Sequence, residues 1–106
     1  MSVRDTIHSI KPTVVSYKLI DGRTVWVRSF NGKGRARYMS YVEAAKANGG
    51  IKAEAIAAMA ICEEDGALAY DYQKQADLDE LAEKIDGRDL DGIGMKLFEV
   101  SGLTKG

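Results

Sequence analysis

Residues that carry chemistry are scarce in this 106-residue chain, which has one histidine, one cysteine, one proline and one tryptophan. A lone cysteine, Cys62, permits no internal disulfide, so the fold needs no oxidising compartment. The lone histidine, His8, has no second imidazole with which to share a metal. It also lies in an unpatterned lead-in, a poor place for the base of a catalytic triad. Neither sign of charge prevails. Lys and Arg number 15 against 16 Asp and Glu, and the formal net charge of -1 removes any global electrostatic case for binding nucleic acid or an anionic membrane. Long apolar runs are missing too. Nothing approaches the roughly 18 residues of a membrane span, and the start, MSVRDTIHSIKP, has no apolar core of signal-peptide length. The expectation is a soluble, cytoplasmic protein without membrane attachment.

Apolar residues at 45% and charged residues at 29% are normal globular proportions. A chain of this length should bury a little under about 70% of its unfolded surface and fold as one domain without staples. Residues 1–13, which include Pro12, lack periodicity and read as a loose N-terminal arm. Residues 14–106 read as a single domain, opening with VVSYKLIDGRTVWVRSF, two β-rich runs around a turn. A two-residue Asp21-Gly22 turn would pair Tyr17 with Trp26 and mix apolar and polar residues on both faces. A three-residue Ile20-Asp21-Gly22 loop instead puts Gly22 at the left-handed position that a G1 bulge wants. That register pairs Val15 with Val27 and Tyr17 with Val25. It gathers Val15, Tyr17, Leu19, Val25 and Val27 on one face and leaves Ser16, Lys18, Thr24, Trp26 and Arg28 on the other. Because a one-residue slip flips every side chain, the hydrophobic pattern selects the three-residue loop.

Beyond Asn31-Gly32-Lys33-Gly34 the period becomes helical. Tyr38, Tyr41, Val42 and Ala45 form one stripe, stopped by Asn48-Gly49-Gly50. A second stripe of Ala53, Ile56, Ala57, Ala60 and Ile61 predicts a helix ending at Glu63-Glu64-Asp65-Gly66, with Gly66 at C′. Three acids there would oppose the helix dipole at about 0.3–1 kcal/mol each. Asp77-x-x-Glu80 predicts an Asp N-cap for a third helix carrying Leu78, Leu81, Ala82 and Ile85, which Gly87 stops. Leu90, Ile93, Leu97 and Val100 mark a last helix capped by Gly102. Gly92 and Gly94 each weaken it by about 1 kcal/mol relative to alanine, so packing must hold that turn. The fold class is α+β, an N-terminal antiparallel β-hairpin followed by about four short α-helices.

No arrangement of residues looks like an active site, and no enzymatic activity, cofactor or metal is expected. Asn31-Gly32-Lys33-Gly34-Arg35 lacks the Ser or Thr that follows a P-loop lysine, and it reads as a flexible strand-to-helix turn. Glu63, Glu64 and Asp65 are contiguous, whereas a Ca²⁺ loop alternates its ligands; they read as a solvated helix end. Cys62 adjoins a core stripe and precedes three acids, which suits a buried, inert thiol. General acid–base catalysis by a carboxylate pair stays open as a minority alternative, and no particular pair is singled out. Arg28, Lys33, Arg35 and Arg37, with Tyr38 and Tyr41, could offer single-stranded nucleic acid a basic face with stacking platforms. Against that alternative, a small nucleic-acid-associated regulatory or adaptor protein, the tyrosines sit at core spacing and the chain is slightly acidic. Trp26 makes the positive case for a binding protein. It falls on the polar hairpin face, and with Arg28 and Lys18 it forms the expected partner-binding set, tryptophan being enriched among binding hot spots. Its competing role is to pack beneath the arm or a helix, as tryptophan mostly does.

The segments with the clearest pattern also carry a resemblance. Val25-Trp26-Val27-Arg28-Ser29-Phe30-Asn31-Gly32 resembles the strand and turn that open the tail assembly chaperones of long-tailed bacteriophages. Ile61-Cys62-Glu63-Glu64-Asp65-Gly66-Ala67-Leu68-Ala69-Tyr70 is similar to that family's acidic helix end and the short apolar segment after it. Asp77-Leu78-Asp79-Glu80-Leu81 and the stretch from Ile93 to Ser101-Gly102-Leu103 are similar to its closing helices. This resemblance implies a non-catalytic protein of the host bacterial cytoplasm, made during virion morphogenesis. It would coat the long helical tape measure protein and help recruit tail tube subunits, with self-association left open.

Overall fold

Eight elements follow one another in the order α1 (Val3–His8), β1 (Val14–Lys18), β2 (Thr24–Arg28), α2 (Gly32–Ala47), α3 (Ala53–Ala60), β3 (Ile61–Cys62), α4 (Gln75–Lys84) and α5 (Gly87–Val100). They are seen in a computed structural model that describes residues 2–103. Met1 and residues 104–106, the outer ends of the expected arm and domain, lie outside the described residues. The architecture is α+β, with the hairpin early and helices after it. A third strand extends the hairpin into an antiparallel sheet of order β1-β2-β3.

The hairpin adopts the register that its hydrophobic pattern requires. Val15 pairs with Val27 and Tyr17 with Val25. The Leu19 N–H donates to the Arg23 carbonyl at 2.7 Å, closing a three-residue loop with Gly22 at φ +95°. A second loop repeats this chemistry. The Glu63 N–H donates to the Ala67 carbonyl at 2.8 Å, Gly66 sits at φ +94°, and Cys62 bridges Leu68. In both loops the aspartate before the glycine takes the N–H two residues ahead, Asp21 from Arg23 and Asp65 from Ala67, each at 2.9 Å. Asp-Gly thus builds the same turn twice, because the carboxylate closes an Asx turn and glycine tolerates the left-handed backbone.

This second turn corrects the expected helix end. α3 stops at Ala60, and Ile61 is already extended at ψ 125°. Ile61 pairs with Val27 and Cys62 with Trp26, so the chain passes from helix to strand with no loop between. Glu63, Glu64 and Asp65 therefore belong to a strand-to-strand turn and do not oppose a helix dipole. α3 itself is the centre of the core. Ala55 to Ala60 are all buried, and the helix packs against α4, α5 and β2. A helix apolar on every side has to be enclosed. Around it Leu81, Ile93, Leu97 and Val27 are the largest fully buried side chains, each contributing about 1.5–3 kcal/mol of burial free energy.

Three helix starts also differ from expectation. Asn31 caps α2 by accepting from the Gly34 N–H at 2.7 Å, so the glycine-rich segment is the helix's first turn and not a flexible loop. α4 begins after Lys74, and Asp77 lies inside it; the Asp77 carboxylate instead accepts from the Asp71 N–H at 2.8 Å and ties down the preceding loop. Gly87 does not stop α4. It is the first residue of α5, whose N-cap Asp86 accepts from the Arg88 N–H at 2.8 Å. α5 ends as expected at Gly102, where the Leu103 N–H reaches the Phe98 carbonyl at 2.8 Å in a Schellman arrangement.

The lead-in holds a helix that the pattern did not predict. Ser2 and Asp5 form a reciprocal capping box, which stabilises a helix too short to show a period. None of its residues is buried. The segment after it is fixed to the domain, with Thr13 and Ser29 hydrogen-bonded backbone to backbone at 2.8 Å and Pro12 seated on Gly66.

Gly92 explains how packing holds the glycine-weakened turn of α5. A Cβ there would fall 2.8 Å from Cζ of Tyr17, so only glycine lets the tyrosine ring lie across the helix. Gly92→Ala should therefore destabilise the fold by about 1–3 kcal/mol through overpacking, although alanine is the better helix former by about 1 kcal/mol. In a Tyr17→Ala background the same substitution should be neutral or stabilising by up to about 1 kcal/mol. Urea unfolding of the four proteins checks both expectations.

Candidate functional site

The two sheet faces have different fates. Val27 and Ile61 are buried on the inner face, and Val15, Tyr17, Leu19 and Val25 pack against the same core. The outer face carries Val14, Ser16 and Lys18 on β1, with Thr24, Trp26 and Arg28 beside them. Neither Trp26 nor Val14 joins the core. Trp26 is half-buried, sits opposite Ser16 on one side and Cys62 on the other, and stands between the two cations of the expected set. Lys18 is exposed next to Thr24 at the turn end. Arg28 is half-buried beside Val14, its Nη1 donating to the Gly66 carbonyl at 2.9 Å. Alternation along β1 and β2, with their pairing register, thus puts all three residues on one face, Arg28 hydrogen-bonded in place and Lys18 exposed.

Beyond Arg28 this face runs into a cleft of about 250 Å³ lined by Phe30, Arg37, Met59, Tyr70 and Tyr72. The Tyr70 hydroxyl is pushed up to about 12, first by its hydrogen bond to Glu80 and then by burial. It stays a neutral phenol across the physiological range. Arg28, Asp71 and Gln73 also line the cleft, so its walls are aromatic with charges of both signs.

Tyr38 and Tyr41 are engaged within the fold. Tyr38 stacks on Phe30 with ring centroids 5.4 Å apart and meets Phe98 edge-on, while Tyr41 meets Tyr72 edge-on and its hydroxyl accepts from the Lys52 N–H at 3.0 Å. Lys33, Arg35 and Arg37 lie on the first turns of α2, all three exposed. A feature concealed by the near-zero total is that charge is segregated along the chain. Residues 1–62 hold ten Lys and Arg against four Asp and Glu, and residues 63–106 hold five against twelve.

The clearest gathering of carboxylates was not legible in the sequence. Asp21, Asp86 and Asp89 line one cleft of about 580 Å³ between the hairpin turn and the α4–α5 junction. Asp21 is bonded to the Arg23 guanidinium and Asp86 to that of Arg88, and these bonds hold both carboxyls below the usual carboxylate range. Asp89 is buried and takes the Ile20 N–H on both oxygens, at 3.2 and 3.3 Å, across 69 residues of sequence. Each carboxylate has a structural bond. Among the described residues no group of three His, Cys, Asp or Glu side chains could hold a metal ion. Nor is any helix among them long and apolar enough to cross a membrane.

Comparison with protein-family models, with curated proteins and with solved structures finds no match for this chain.

Cys62, paired with Trp26 across the sheet, is buried at 4% exposure. Burial pushes its thiol up, nearby Arg28 opposes this, and Glu63 and Asp65 add to it. At pH 8 the native protein should be alkylated on the order of tenfold more slowly than the urea-unfolded chain, because burial both withholds the thiolate and bars the reagent. Iodoacetamide labelling followed by mass spectrometry gives both rates.

Proposed function

We propose that this protein is a non-catalytic phage tail assembly chaperone of the bacterial cytoplasm that binds the helical tape measure protein and helps recruit tail tube subunits. The observation that carries the binding part is Trp26, a half-buried indole outside the core, on an outer sheet face between Lys18 and Arg28. A large amphipathic ring held by a rigid strand is the ordinary anchor of a protein interface. The apolar ridge of a partner helix would lie across it, in the helix-in-groove manner, with the aromatic cleft beyond Arg28 extending the contact. The identity of the partner rests on the resemblance of Val25 to Gly32, Ile61 to Tyr70, Asp77 to Leu81 and Ile93 to Leu103 to the chaperone family.

A second reading, a small nucleic-acid-associated regulator, draws on Lys33, Arg35 and Arg37 at the start of α2 and on the basic balance of residues 1–62. Internal packing of Tyr38 and Tyr41 weighs against it. An electrophoretic shift that is absent even at low salt would dispose of it, since binding by counterion release is strongest there.

Co-expression with the tape measure protein encoded in the same genome tests the first reading. The wild-type chain should keep that protein in the supernatant and co-purify with it. Trp26→Ala should keep a cooperative thermal transition and bind the partner at least about 30-fold more weakly, the effect of losing a hot spot of about 2 kcal/mol. A tape measure protein that aggregates equally with and without the chain would remove the proposal.

A further inference from the structure

Asp89 is the only buried charged residue among those described, at 5% exposure, and no cation among them pairs with it. An ionised carboxylate can accept about four hydrogen bonds; Asp89 takes the backbone N–H of Ile20 on both oxygens and the Tyr17 hydroxyl, so acceptor capacity remains. The nearby cations are bonded elsewhere or stand at the rim, and Arg88 acts on Asp89 only through space. Arg23 is held by Asp21 at 2.6 Å and Arg88 by Asp86 at 3.1 Å, while Lys84, at the cleft rim, makes no ion pair among the described residues. Tyr17 hydrogen-bonds Asp89 as a phenol and brings no charge. The first turn of α5 supplies a favourable dipole, which falls short of a counter-ion. Buried charges in proteins are ordinarily paired, and one that is not calls for an explanation.

The remaining side of Asp89 lines the cleft of about 580 Å³ whose walls include Leu19, Val25 and Ile85. That volume is within the range of ordinary ligand sites, about 300–1,000 Å³. An apolar wall leading to a buried carboxylate matches a long aliphatic stem with a cationic head. The setting adds a long-range pull, because the cleft borders α4 and α5 in the acid-rich part of the chain, where residues 63–106 hold twelve acids against five bases.

We propose that this cleft seats a lysine or arginine side chain presented by a helical protein partner, with its stem along Leu19, Val25 and Ile85 and its head on Asp89. The partner in this inference is the one read from Trp26. The seat can nevertheless be tested without it, so a failure here and a failure of the chaperone reading are separately visible.

The ¹⁵N-labelled full chain is titrated with N-acetyl-arginine methylamide and N-acetyl-lysine methylamide, with N-acetyl-norleucine methylamide as the neutral control. The basic compounds should shift the amide signals of Ile20, Ile85 and Asp89 in a saturable way, and norleucine should bind about tenfold more weakly, the worth of about 1.4 kcal/mol. Asp89→Asn keeps an acceptor for the Ile20 N–H but removes the charge, and should abolish the preference for the basic compounds. Lys84→Gln, at an exposed position, should tighten them about twofold by removing a competing surface cation. If Asp89→Asn fails to fold, the Lys84→Gln and norleucine titrations decide. Equal response to norleucine, shifts confined to other surfaces, or an unchanged response in the folded variants would overturn the proposal.

Discussion

Residues 55–60 of α3 are enclosed by their neighbours on every side. Its alanines contribute little area individually, so α4, α5 and β2 come close, and that closeness sets the rest of the fold. The helix runs straight into β3, where Ile61 and Cys62 pair with Val27 and Trp26. The sheet is thereby fastened to the core through the backbone as well as through side chains. Glycines serve the same end. Gly94 lies 3.4 Å (from an added Cβ) from Ile56 of α3, and Gly92 lies under Tyr17 of β1.

One consequence is a sheet with a buried inner face and an outer face on which Cys62 is buried while Trp26 stays outside the core. Apolar side chains of the hairpin go inward, and the same alternation puts Trp26, Lys18 and Arg28 outward. Arg28 is held by the Gly66 carbonyl, and Gly66 in turn sits beneath Pro12, so the arm, the second turn and the outer face are linked. Asp89 makes the corresponding link at the opposite end of the hairpin, joining its turn to the start of α5. Both ends of the hairpin are thus anchored by a charged side chain on a backbone group, which are the stronger kind of hydrogen bond.

Local pattern was most informative where one rule admitted one answer. In the hairpin, only one register placed Val15, Tyr17, Leu19, Val25 and Val27 together, and the chain adopts it. The stripes of α2, α3 and α5 were equally plain, because three or four apolar residues recur at helical spacing. Boundaries were less legible. Ile61 continues the apolar stripe of α3, and nothing local distinguishes a last helical residue from a first strand residue. The deciding interaction is its pairing with Val27, far back in the chain. A signal for the second turn was present in Glu64-Asp65-Gly66, which repeats Ile20-Asp21-Gly22, and in the Ser2-x-x-Asp5 capping box there was one for α1; both are short motifs that a periodicity reading passes over.

Which side of each element is apolar is written in the order of the amino acids, since side-chain alternation and helical period are properties of the backbone within one segment. Alternation, together with the hairpin register that the hydrophobic pattern selects, therefore puts Trp26, Arg28 and Lys18 on one face. What those faces meet is a matter of tertiary packing. The folded chain brings Asp89 to Ile20 across 69 residues, buries a carboxylate that no ion pair among the described residues holds, and opens a cleft between the hairpin turn and the α4–α5 junction. No window of sequence contains that information, because desolvation of a charge depends on every chain segment that surrounds it, and those segments come together only when the core forms.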